Sequence, residues 1–163
     1  MSGVNVIVIS DTHGDIYGVQ NVLDKHKTVV SHVIHLGDHS KDMARYMLEG
    51  NYDYTYHIVN GNTDLYSDIY EDRLIEINSK KIFITHGHMY NVKLDLQRLT
   101  YKAMEIGADA CFFGHTHSQV LFKEEGIFFL NPGSPTHPRT ANDRGYALVR
   151  ISDEGNIVGK FIK

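Results

Sequence analysis

The chain has 163 residues, 42% of them hydrophobic and 22% charged, with a formal net charge of −4. Those values fit one globular domain over residues 1–163 and exclude a fibre or a disordered chain. No apolar stretch approaches the ~18 uncharged residues of a membrane span, and no basic stripe offers a grip on a nucleic-acid backbone.

A single cysteine, Cys111, rules out an intramolecular disulfide and a cysteine-rich zinc site. It lies in an apolar run and reads as a core thiol. No leader is read ahead of Asp11, so the cytoplasm is the expected address.

Residues 4–9 form the first short apolar run, which reads as a buried strand. Ile16, Val19, Val22 and Leu23 then make one face of a helix, with Asp15 as its N-cap. A second strand is expected at residues 33–36. Ser40 caps an expected helix that ends at Gly50 and buries Met43 and Met47. A third strand is expected at residues 56–59, and Tyr52, Tyr54 and Tyr56 alternate so that one face packs.

Residues 73–85 read as a hairpin turning at Asn78-Ser79. Leu96, Leu99, Ala103 and Ile106 make a further helix closed by Gly107. Strands follow at residues 110–113 and 127–130, with a hairpin turn at Gly126 and another at residues 153–156. Helices alternate with the early strands and hairpins make up the later ones. The expected class is α/β, a mixed sheet split into two packed layers with helices outside.

The chemistry sits at the ends of these runs. The first is followed by Asp11-Thr12-His13-Gly14 and the second by Gly37-Asp38. The third leads to Asn60-Gly61-Asn62-Thr63-Asp64. Later runs lead to His86-Gly87-His88 and to Gly114-His115-Thr116-His117. Each piece alone has an ordinary explanation as a turn with a surface histidine. Five strand ends in succession do not, because α/β sheets place ligands beyond the carboxyl ends of their strands.

Imidazole and carboxylate together suit Mn²⁺, Fe²⁺, Zn²⁺ or Ni²⁺. Two ions ~3.5–4 Å apart need a bridging carboxylate and about three further ligands each. Asp11, His13, Asp38, Asn62, His86, His115 and His117 supply that number with one residue shared. The neighbouring glycines let the backbone turn so that these side chains converge. His115 and His117, two apart, share a side if the chain stays extended.

This order of motifs, from Asp11 to Pro135, resembles the calcineurin-like metallophosphoesterase superfamily. The short length, the Thr85-His86-Gly87-His88 run and the Asn131-Pro132-Gly133-Ser134 run are similar to its small single-domain YfcE-type phosphodiesterases. The resemblance implies a four-layer α/β/β/α sandwich of two mixed sheets flanked by helices. It assigns Asp11, His13 and His117 to one metal ion and Asn62, His86 and His115 to the other, with Asp38 bridging. It implies two divalent cations, Mn²⁺ first and Ni²⁺, Zn²⁺ or Fe²⁺ as alternatives.

Two positions depart from the family pattern. Large family phosphatases carry a histidine where this chain has Thr63, and a hydroxyl cannot act as a general acid near neutral pH. The second aspartate after Gly37-Asp38 arrives one place late, at Asp42, behind Ser40 and Lys41.

The expected reaction is hydrolysis of a small phosphodiester or nucleotide-like substrate by a metal-bridging hydroxide. Asp38 is the bridging catalytic residue, and His88, His39 or water protonates the leaving group. The alternatives are a non-catalytic protein-binding scaffold on the same fold and a phosphomonoesterase.

Arg139 either contacts a phosphate oxygen or caps a carbonyl. Asp64 is expected to orient Asn62 or a ligand histidine. His26, His32, His35, His57 and His137 have no motif partner and read as structural or solvated. Hairpin edges leave room for two copies to pair as a homo-oligomer.

Overall fold

β1 (Gly3–Ile9) shows why the early apolar runs do not alternate with polar residues. Val6 and Val8 point into one core while Ile7 and Ile9 point into another, and all four are essentially sealed from solvent. A strand covered on both faces needs apolar residues at successive positions. The computed structural model describes residues 2–40, 43, 52–65 and 68–163.

β1 pairs in parallel with β2 (His32–His35), which pairs in parallel with β3 (Thr55–Ile58). On its other side β1 is antiparallel to β9 (Tyr146–Ser152), and β10 (Ile157–Ile162) completes the sheet in the order β10-β9-β1-β2-β3. The second sheet holds β4 (Asp72–Ile77), β5 (Lys80–Thr85), β6 (Ala110–Phe112), β7 (Gln119–Glu124) and β8 (Ile127–Pro132). Its order is β4-β5-β6-β8-β7, with β5, β6 and β8 parallel.

Three clusters fix the layers. Val6, Val8, Ile34 and Leu36 meet Ile82, Ile84, Phe112 and Leu130 between the sheets. Outside the first sheet, α1 (Ile16–His26) packs Val19 and Leu23 onto Ile7, Ile9 and Val33. Outside the second, α2 (Gln97–Glu105) packs Leu99 and Ala103 onto Phe83, Cys111 and Phe129. The result is the expected helix–sheet–sheet–helix sandwich. Phe112 is fully buried at the seam, where truncation to alanine would cost ~3–5 kcal/mol.

Local signals match the structure closely. The Asp15 side chain accepts from Gly18 N at 3.0 Å, capping α1. Asp95 accepts from Gln97 N at 3.0 Å ahead of α2, and Gly107 follows α2 with φ +69°. Asn78 and Ser79 both adopt left-handed backbone (φ 50° and 65°), as a two-residue hairpin turn requires. The helix expected to run from Ser40 to Gly50 lies outside the described residues apart from Ser40 and Met43. Met43 is buried against the α1 side of the first sheet.

The isolated histidines are structural, with one exception taken up below. His26 bonds the Tyr146 hydroxyl at 2.7 Å, and His32 meets His57 at 3.0 Å. His35 is wholly buried between Thr12 Oγ1 (3.0 Å) and the N–H of Gly37 (3.1 Å). Tyr52, Tyr54 and Tyr56 form a ladder with ring centroids 5.4 and 5.9 Å apart. The Tyr54 hydroxyl donates to Leu23 O, so these rings pack on the end of α1. Cys111 is buried, and burial pushes its thiol pKa up. Among the described residues, no helix is long and apolar enough to cross a membrane.

Candidate metal centre

Neighbouring strands of both sheets end at one place. β1 delivers Asp11 and His13, β2 delivers Asp38 and β3 delivers Asn62. From the second sheet, β5 delivers His86 and β6 delivers His115 and His117. All seven candidate ligands therefore meet at the seam of the sandwich.

Two groups of ligand atoms form there, each with its atoms within 4.8 Å of one another. One holds Asp11, His13, Asp38 and His117; the other holds Asp38, His86 and His115. Asn62 joins the second, its Oδ1 3.1 Å from His86 Nε2. Asp38 belongs to both, with Oδ2 3.8 Å from His13 Nε2 and Oδ1 3.4 Å from His86 Nε2. Asp11 Oδ1 lies 3.1 Å from His117 Nε2 and 3.8 Å from His86 Nε2.

The tautomers follow from the outer hydrogen bonds. His86 Nδ1–H donates to Leu36 O at 2.7 Å, and His117 Nδ1–H donates to the carbonyl of His137. In the neutral rings each Nε2 then carries a lone pair facing inward. His86 Nε2 meets Asn62 Oδ1, Asp38 Oδ1 and His115 Nδ1, the last at 3.1 Å. Asp11 Oδ1 is buried with no hydrogen-bond partner. A pocket of inward lone pairs and carboxylate oxygens lacks positive charge at its centre, which is the fit expected of cation ligands.

The electrostatics agree. Burial raises the Asp11 pKa, but the facing His117 ring and the nearby His86 outweigh that and hold it below the usual carboxylate range. Asp38 is likewise held low against burial by His86 and by the Thr63 N–H. His117 is raised by the Asp11 carboxylate that faces it, and His86, against burial, by Asp38 and Asp11. His115, which lacks such a carboxylate partner, is pushed by burial down to about 4. Protons can meet this demand for positive charge, and bound cations would displace them.

The backbone is unusual at the same positions. Among the described residues, six of the ten non-glycine residues with left-handed φ are Asp11, His13, Asp38, His39, His115 and His117. Such strain concentrates where a fold holds side chains for chemistry. With φ of 71° and 59°, His115 and His117 do not lie in extended chain, so the condition for sharing a side is not met, and they fall in different groups of ligand atoms. Close approach also demands particular glycines: a Cβ on Gly61 would sit 2.1 Å from Asp38 Oδ1.

The flanking residues sort themselves. His39 lies beside the first group, its ring 5.6 Å from that of His13. His88 lies beside the second, 5.4 Å from the His86 ring and 6.1 Å from the His115 ring. His88 Nε2 is 3.8 Å from Glu71 Oε1, and burial lowers its pKa. The Arg139 side chain is exposed while its N–H donates to His117 O at 2.8 Å. Asp64 bonds backbone N–H groups of the Asp38 and Gly61 loops, so its partners differ from the side chains expected.

His137 is the exception among the isolated histidines. Its carbonyl fixes the His117 ring, and its own ring lies 4.8 Å from that of His13. It follows the buried Ser134, whose hydroxyl donates to Asp11 O at 2.8 Å. The glycine–proline turn signalled a loop there, but nothing in the sequence signalled its reach back to β1.

Comparison with known proteins bears on this site. A family profile described as the calcineurin-like phosphoesterase superfamily domain matches residues 4–154. The probable metallophosphoesterase YsnB of Bacillus subtilis (strain 168) is 35% identical over 158 residues, covering 95% of this chain and 89% of that protein. A solved predicted phosphoesterase from Streptococcus pneumoniae TIGR4 superposes with a TM-score of 0.80 at 31% identity, covering 98% of this chain and 97% of the other. A Vps29 variant from Entamoeba histolytica gives 0.75 at 25% identity, covering 96% and 97%.

Proposed function

The chain belongs to the calcineurin-like phosphoesterase superfamily, and we propose that it is a dinuclear-metal phosphodiesterase acting as one cytoplasmic domain. The observation that carries this reading is the placement of Asp38, which turns one carboxylate oxygen toward each ligand group. Asp11, His13 and His117 would hold one divalent cation and Asn62, His86 and His115 the other. Mn²⁺ is the first choice, and Ni²⁺, Zn²⁺ or Fe²⁺ suit the same donors. When bound, the pair lowers the pKa of a shared water toward neutrality and offsets charge on phosphoryl oxygens.

The chain's own residues set the rest. Asp38 accepts from Thr63 N at 3.1 Å, so the Thr63 side chain occupies the position beside the bridge. A hydroxyl there gives no general acid, which penalises poor leaving groups most. Small diesters with activated or aryl leaving groups are therefore the favoured substrates. His88, beside the second group and 3.8 Å from Glu71, is our candidate for hydrogen-bonding the departing oxygen.

The test is hydrolysis of bis-p-nitrophenyl phosphate beside p-nitrophenyl phosphate. Chelator-stripped protein would be given Mn²⁺, Ni²⁺, Zn²⁺ or Mg²⁺. Metal-dependent diester turnover exceeding monoester turnover supports the reading. Two bound ions without turnover on any ester would transfer it to a protein-binding scaffold.

A further inference from the structure

Asp64 makes an unusual set of bonds. Its Oδ2 accepts from Asp38 N and Gly61 N, each at 2.8 Å. Its Oδ1 accepts from His39 N at 2.7 Å and Ser40 N at 3.1 Å. An ionised carboxylate has about four acceptor positions, and backbone N–H groups take all of them.

Three donors come from successive residues of the Asp38 loop. Asp38 and His39 sit there at φ 59° and 72°, a conformation that costs an L-residue ~1–2 kcal/mol each. Charge-assisted hydrogen bonds are about twice as strong as neutral ones, so this carboxylate can hold the strained loop in place. The fourth donor, Gly61, belongs to the loop that carries Asn62. Asp64 thus clasps the Asp38 loop and the Asn62 loop into one unit.

Two ligands of the first group, Asp11 and His117, are braced elsewhere. Ser134 Oγ donates to Asp11 O, and His117 Nδ1–H donates to the His137 carbonyl. Asn131, wholly buried, donates to Gly114 O at 3.1 Å and bonds Thr116 Oγ1 at 3.0 Å. These bonds do not involve Asp64.

We infer, on the two-ion reading above, that Asp64 is the positioning residue that sets Asp38 against Asn62 and so determines binding of the second cation and its coupling to the first. Asp64→Asn replaces one acceptor oxygen by a donor that faces backbone N–H groups. Loss of such an outer support weakens metal affinity by about 10- to 100-fold. Asp38 and Asn62 both hang on this clasp, whereas the first group shares only Asp38, so the ion held by Asn62, His86 and His115 should show the larger loss.

The experiment is Mn²⁺ titration of the full chain, followed by calorimetry and electron paramagnetic resonance. Wild type, Asp64→Asn and Asp64→Glu are compared, with thermal unfolding of each metal-free protein. Expected are two ions with an exchange-coupled signal in wild type, and one tight uncoupled ion with a weakened second site in Asp64→Asn. Asp64→Glu, which keeps the carboxylate, should recover part of the coupling even if Asp64→Asn folds poorly. Two coupled ions in Asp64→Asn, or equal weakening of both together with a collapsed metal-free melting temperature, would overturn the assignment. A wild-type chain that takes up a single ion would overturn the two-ion reading itself and this role with it.

Discussion

Asp38 Oδ1 and His86 Nε2 face each other across 3.4 Å at the seam of the sandwich, and both side chains are almost sealed from solvent. The pair joins a left-handed residue at the end of β2 to a histidine at the end of β5. Removing the carboxylate takes from each ligand group the oxygen that Asp38 turns toward it. Asp38→Ala should therefore weaken both ions and lower diester turnover at least ~10²-fold. Metal stoichiometry and initial rates measured on one sample check this, and unchanged values would dismiss the bridge.

Thr63 offers the reverse test, a gain. Its N–H already bonds Asp38 Oδ1 at 3.1 Å, so a side chain at this position stands beside the bridge. Thr63→His should raise p-nitrophenyl phosphate turnover by up to ~10²-fold, the lower end of what a placed acid supplies. Diester turnover should change little. A flat monoester rate would show that protonation of the leaving group does not limit the reaction.

Gly114 tests packing around Asp11. An added Cβ would lie 2.1 Å from Ser10 Oγ and 2.8 Å from Asp11 Oδ2. Ser10 cannot simply swing away, because its hydroxyl bonds Asp11 Oδ2 at 2.5 Å. Gly114→Ala should cost ~1–3 kcal/mol of stability through overpacking. It should also weaken the first ion by about 10-fold. Chemical denaturation and metal titration read the two effects separately.

His35 gives stability a pH dependence of known sign. Burial pushes its pKa from 6.5 down to about 4 in the folded chain. Between those values the unfolded chain binds a proton that the folded chain refuses, so stability rises with pH. The contribution is complete above pH ~6.5 and is lost as pH falls toward 4, about 3 kcal/mol in all. His57 and His115, each also lowered to about 4 with burial as the first cause, add the same sign. Urea midpoints of chelated protein from pH 7.5 to 5 should fall steeply, and His35→Gln should flatten the slope.

The sequence made these residues legible because each candidate ligand ends a short apolar run, most with a glycine nearby. Turn chemistry placed the hairpins at Asn78-Ser79 and Gly126 for the same local reason. What depends on distant strands was not legible in local spacing. The division of His115 and His117 between two ions came only from the family resemblance, because it depends on where β1 and β2 lie across the seam. The four backbone bonds to Asp64 need the Asp38 loop folded back over Gly61, which no spacing encodes. His35 and His137 carry no motif, and the contacts that tie them to the site reach Thr12 and His117, twenty or more residues away.

The seam has a mechanical side as well. Asp11, His13, Asp38 and Asn62 hang from one sheet, and His86, His115 and His117 hang from the other. Cations seated among them would rivet the two halves together at the open rim of the sandwich, where the hydrophobic filling ends. Ligand-linked stabilisation grows by ~2.7 kcal/mol at a hundredfold excess over the dissociation constant. Metal supply would then govern how often that rim breathes, and amide exchange near Leu36 and Gly114 would report it.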